Sequence, residues 1–184
     1  MELRLSWDLF IIVFFGIVIA YSFIIGRNQT LKVIISSYMA ILAADGLGNI
    51  VNMYILPNVN ELGSLEANQI LILMKILVFV IVIVLLSIKG GFIVNVLEER
   101  SLPMAIMATL TFGFLNAGLI VSTILVYISG SSFVDGSTDV SSVTTLYQES
   151  ELVKLMINNY NIWFALPVFA LVLISFVEVK KDLE

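Results

Sequence analysis

Four residues could do chemistry that the rest of this chain cannot: Asp45, Asn49 and Asn52 in the apolar stretch 31–56, and Lys75 in the next one. On a helix the first three fall at i, i+4 and i+7, which makes one continuous polar stripe. An aspartate near the middle of a bilayer costs roughly 2.5–3.5 kcal/mol on insertion-derived scales, so it faces a protein interior or a wet cavity and has a partner. Lys75 lies about eight residues in from the outer end of its stretch and Asp45 about eleven. At 1.5 Å per residue their depths differ by about 4–5 Å, a distance that a lysine side chain covers. The expectation is a buried Asp45–Lys75 pair whose remaining donors and acceptors are satisfied by Asn49 and Asn52. The competing reading sends the ammonium to the outer headgroups. Asp45 itself is either a carboxyl that holds helices together or a proton or cation station. One carboxylate alone makes no pathway, which favours the first.

The elements that position these residues are apolar helices. The 184 residues are 60% hydrophobic and 12% charged, with a mean hydropathy of +1.07, against roughly half apolar and one-quarter charged in soluble domains. The fold class is therefore all-α, a polytopic membrane bundle. With neither cysteine nor histidine, thiolate chemistry, iron–sulfur and zinc clusters and the commonest general base are excluded, and no metal or cofactor is expected. A net charge of −5 with no basic run argues against nucleic acid. No catalytic triad, paired carboxylates, GxGxxG or GxxxxGK[ST] occurs, so no enzyme is expected.

Five spans are expected. The first runs over 9–25 with Trp7 at the interface, and its leader, in which Glu2 and Asp8 outweigh Arg4, does not suit a cleaved signal peptide. The short break 26–30 implies a hairpin to the second span, which stops at Pro57; the third takes 67–88 and ends near Gly90-Gly91; Pro103 starts the fourth, which reaches Ile128. Residues 130–151, rich in Ser, Thr and Gly, read as an exposed, mobile extracytoplasmic loop with little chemistry. The segment 161–177, kinked by Pro167, is short for a span. Counting it as one, with the amino terminus outside, puts Arg27, Lys32, Lys89, Arg100, Lys180 and Lys181 in the cytoplasm against Arg4 and Lys154 outside; otherwise the count is even. The positive-inside rule thus favours five spans and a cytoplasmic carboxyl terminus. The chain divides into a four-helix core, 1–129, the loop, 130–151, and a fifth helix with its tail, 152–184.

Small and amide-bearing residues mark packing seams. Ala40, Ala44 and Gly48 repeat every fourth residue beside the polar stripe, a pattern that lets helix backbones approach closely. Thr109, Gly113, Asn116 and Thr123, with Ala117 completing a small-xxx-small pair, do the same for the fourth helix, and Gly16 and Ala20 for the first. Trp7, Tyr54, Tyr127, Tyr160 and Trp163 fall near span ends and read as an interfacial belt.

The order of features resembles the colicin V production family of bacterial inner-membrane proteins. The likeness rests on YSFIIGRNQTLKVIISSYMAILAADGL, residues 21–47, and on SIKGGFIVNVLEERSLPMAIMATLTFGFLNAGLI further on, within about 7–128. The resemblance implies an accessory protein of the cytoplasmic membrane linked to toxin production or export and to envelope maintenance. It assigns no catalytic or binding residue, and the fifth segment departs from the family's usual four spans. Three functional readings follow: a scaffold that works by association with a second copy or other membrane proteins, helices two and four supplying small-residue seams to each other or to a second copy; a small oligomeric transporter or channel using the Asp45 stripe; or a membrane subunit of a larger complex.

Overall fold

A computed structural model describes residues 7–55, 67–91, 94, 102–133 and 150–181. The described residues form helices α1 (Trp7–Ile25), α2 (Arg27–Ile50), α3 (Ala67–Lys89), α4 (Leu102–Ile128), α5 (Glu151–Asn158) and α6 (Tyr160–Lys181), with a π-helical turn, Val51–Ile55, prolonging α2. The turn expected at Pro57, the segment 134–149 and the charges Arg4 and Arg100 lie outside the described residues. Four of the helices are long and apolar enough to cross a membrane, and the bent pair α5–α6 makes a fifth when counted as one span. This is a multi-pass, all-helical membrane bundle, as the hydropathy predicts.

α4 is the central helix. In its most apolar window 72% of residues are buried inside the protein, against 11% for α1 and for α3. The reason is compositional: α4 carries its polar and small residues, Thr109, Gly113, Asn116, Ala117, Gly118, Ser122 and Thr123, where lipid would not satisfy them, whereas α1 and α3 present Ile, Val, Leu and Phe on almost every side. Thr123 donates its hydroxyl to the Leu119 carbonyl at 2.7 Å and Thr109 to Ala105 at 2.9 Å, so each satisfies itself within its own turn.

The α1–α2 hairpin turns on a single residue. Gly26 has φ 78°, a left-handed backbone that costs glycine no Cβ clash, and its carbonyl accepts both the N–H and the hydroxyl of Thr30 at 3.0 Å. α2 then runs antiparallel to α3, and two contacts fix their register: Asp45 with Lys75, and Lys32 Nζ donating to the Gly90 carbonyl at 2.8 Å. The second contact places a cation on the carbonyl end of α3, where the helix dipole favours it.

Three expectations need correction here. Gly16 and Ala20 do not pack; both are exposed, and an added Cβ at Gly16 would meet nothing within 4 Å. α1 instead meets α4 where Gly113 faces Ser22 and Ile19. Tyr127 belongs to no interfacial belt, being wholly buried among Phe79, Ile41 and Phe133. The sharp bend in the last segment, 64°, falls at Asn159 between α5 and α6, eight residues ahead of Pro167.

Of the described residues after α4, Gly130 is exposed but its neighbours turn inward. Gly130, φ 75°, ends the helix in the left-handed conformation, its N–H bonding to the Tyr127 carbonyl and that of Ser131 to Val126; Ser131, Ser132 and, at the far end, Ser150 are buried. Ser150 caps α5 by accepting the Val153 N–H at 3.1 Å, and Asp8 of α1 accepts both the Ser150 hydroxyl at 2.5 Å and the Leu152 N–H at 3.0 Å. Ser150→Ala removes the cap at a cost of about 1 kcal/mol. Hydrogen exchange should then rise at the α5 amides and stay unchanged in α4; equal protection in both proteins would show that Asp8 alone holds the helix.

Candidate functional site

Asp45 and Lys75 meet. The ammonium lies 3.1 Å from Oδ1 of Asp45, and relative exposure is 0% for Asp45 and 4% for Lys75. The second carboxylate oxygen, Oδ2, accepts the backbone N–H of Phe133 at 3.0 Å. Lys75 Nζ also stands 5.7 Å from the ring centre of Tyr127, a separation at which the aromatic face attracts a cation. The Tyr127 hydroxyl donates to the Ile41 carbonyl at 3.3 Å, one helical turn before Asp45. One carboxylate, one ammonium, one backbone amide and one aromatic face thus make up the site, in which Oδ1 of Asp45 has the ammonium as counter-charge but no hydrogen bond.

Gly48 explains how the lysine gets there. A Cβ at this position would lie 2.6 Å from Cε and 3.0 Å from Cγ of Lys75. The side chain therefore crosses α2 through the space that glycine leaves, and burial of Ala44 and Ala40 on the same seam keeps the helices close. The residues expected on packing faces, Ala40, Ala44, Gly48, Thr109, Gly113, Asn116 and Ala117, are all buried within this chain. Gly48→Ala should cost about 1–3 kcal/mol by overpacking. The penalty should vanish in a Lys75→Ala background. Thermal unfolding of the two single variants and the double variant in detergent measures this, and a penalty that persists without the lysine would place the clash elsewhere.

The asparagines do not take the role expected of them. Asn49 is half-buried and Asn52 exposed, and the carboxylate oxygen they were to satisfy is met by Phe133. Two physical causes account for this. The π-helical turn beginning at Val51 holds an extra residue, which rotates Asn52 off the stripe that a regular helix would form. In addition, α2 and α3 continue past the site, and the turn after α4 folds back to roof it.

The hairpin gives the position of Asp45 along its helix. Asp8 stands eighteen residues before the hairpin glycine Gly26, and Asp45 nineteen after it. At 1.5 Å per residue these positions are about 27 and 28 Å along their helices. Counted along the helices, Asp45 is about as far from the hairpin as the acidic start of α1, and within its own candidate span, Arg27–Tyr54, it stands eighteen residues from one end and nine from the other. Charged Glu151 and Lys154, paired at 2.8 Å, stand on the helix that Asp8 holds. The pair lies within two candidate spans and is sealed there by protein.

The roof is an aromatic stack. Phe133 lies flat on Phe164 of α6 with ring centres 5.1 Å apart, edge-on to Tyr127 at 6.1 Å and to Tyr160 at 5.9 Å. Tyr38 of α2 packs its edge against Phe164 at 5.1 Å and donates its hydroxyl to the Phe164 carbonyl. Five elements thus converge on one carboxylate: α2, α3, α4, the turn after it, and α6 through the stack. The sequence held no sign of Phe133, whose contribution is a main-chain amide.

Among the described residues no group of three or more Asp or Glu could hold a metal ion. Among the described residues the site offers an ion pair, Asp45 with Lys75, and a backbone amide on the second carboxylate oxygen. No family model matches the chain, and no curated protein or solved structure is significantly similar to it.

Proposed function

We propose that this chain is a non-enzymatic accessory or scaffold protein of the bacterial cytoplasmic membrane, with its amino terminus outside and its carboxyl terminus in the cytoplasm. It works by association with other membrane proteins or with a second copy. The observation that carries this reading is the closure of the Asp45–Lys75 pair: both groups are all but inaccessible, each charge faces its counter-charge, and the second carboxylate oxygen is held by a backbone amide. A transport station must exchange protons or ions with water on at least one side. A structural pair must not, and its value is positional, since it fixes α2, α3 and the turn after α4 in one arrangement. The likeness to colicin V production proteins supports the same class and adds a setting, toxin production or export and envelope maintenance.

Purification from native membranes in mild detergent, followed by mass measurement of the intact assembly, tests the proposal. The expected result is a stoichiometric partner or a defined homo-oligomer whose assembly withstands Asp45→Asn. A lone chain that, reconstituted in vesicles, conducts protons or cations in an Asp45-dependent manner would overturn it in favour of a transporter.

A further inference from the structure

α1 and α4 meet most closely at Gly113, where an added Cβ would lie 3.0 Å from the Ser22 side chain and 3.3 Å from the Ile19 Cα. Toward the Trp7 end the two helices face each other through large side chains, and a cavity of about 220 Å³ opens between them, walled by Trp7, Phe10 and Phe14 on one side and Ile124 and Ile128 on the other. Its remaining lining residues, Ile11, Val121 and Leu125, also belong to the apolar cluster on which α5 seats Val153, Met156 and Ile157. The amphipathic α5 thus fills one flank of the splay, and no described residue fills the other.

We propose that this groove is a lipid site that holds one acyl chain of a bilayer phospholipid. Both walls belong to helices that are long and apolar enough to cross a membrane, so the medium at its mouth is hydrocarbon. Every lining side chain is apolar apart from the indole N–H of Trp7, and a peptide segment inserted there would leave its backbone groups unsatisfied. A helix of a second copy, about 10 Å across, is too wide for the space. The walls run from Trp7 to Phe14, about 10 Å along α1, which lies within one leaflet of about 15 Å. Trp7 is the lining residue at the end of α1, next to Asp8, the level at which a headgroup would sit and from which a chain can descend. Its aromatic wall is braced: Trp7 meets Phe10 edge-on at 5.9 Å, and Phe10 lies 6.3 Å from Phe14.

The test is native mass spectrometry of the full chain released from detergent after extraction from phosphatidylethanolamine and phosphatidylglycerol vesicles. The expected result is one phospholipid retained per chain in the wild type, its loss in Ile124→Trp, which fills the groove, and its retention in Val84→Trp, which adds the same bulk to the exposed face of α3. No retained lipid in the wild type, or equal retention in Ile124→Trp, overturns the proposal. A fluorescence measurement keeps it falsifiable if Ile124→Trp does not fold. Trp163→Phe leaves Trp7 the single tryptophan; after loading with brominated-chain phospholipid, Trp7 emission should stay quenched on transfer to detergent. Immediate recovery would mean that the chains at Trp7 are only the exchanging annulus.

Discussion

Lys75→Met is expected to destabilise the protein by about 3–5 kcal/mol, the usual effect of leaving one member of a buried ion pair without its partner. The thioether keeps most of the volume of the lysine stem, so packing against Gly48 changes little and the loss reports charge. Asp45 is fully buried, and in the variant its carboxylate keeps only the Phe133 N–H. It must then ionise without a counter-charge or take up a proton. Asp45→Asn alone should cost less, because an amide oxygen can still accept from Phe133, although the ammonium is left facing a neutral group. The Asp45→Asn, Lys75→Met double variant has no buried charge and should be markedly more stable than the two single losses predict when added. Unfolding of all four proteins in the same detergent gives the coupling energy. Strict additivity would mean that the residues are neighbours without being partners, and the positional role assigned to the pair would fail with it.

The reach and the failure of sequence reading are both visible at this pair. Hydropathy places α1, α2, α3 and α4 to within a few residues because lipid imposes a length and a polarity that local sequence must obey. Asp45 and Lys75 could be paired from their depths because α2 and α3 are consecutive and antiparallel, so a single arithmetic of rise per residue relates them. The arrangement of the rest depended on facts that are not local. Asn52 left the stripe because one turn changed its period. Phe133 serves through its main chain, and no side-chain pattern advertises a backbone donor. Gly48 was legible as a small residue on a seam, but its function of admitting a lysine stem depends on which side chain crosses there.

Gly118→Ala is the second large effect expected, and it arises from a contact that composition concealed. A Cβ on Gly118 would stand 2.1 Å from Cε3 and 2.4 Å from Cζ3 of Trp163, so the indole lies directly on the α4 backbone. Separations this short cannot be relieved by a rotamer change at the far end of a flexible chain, since the ring is rigid and also held by Phe15 at 6.0 Å and Phe114 at 5.6 Å. α6 must move away from α4. The expected cost lies at the upper end of the roughly 1–3 kcal/mol typical of overpacking. It should not stay local, because the residue after Trp163 is Phe164, which carries the stack on Phe133 and accepts the Tyr38 hydroxyl. Displacing α6 therefore loosens the roof over Asp45, and Gly118→Ala should raise hydrogen exchange at the Phe133 amide, some distance from the substitution. Trp163→Leu removes the clashing ring, and in that background Gly118→Ala should be nearly neutral. If Gly118→Ala exchanges at Phe133 like the wild type while losing stability, α6 and the ion pair are independent, and the convergence of helices on Asp45 is geometry without energetic consequence.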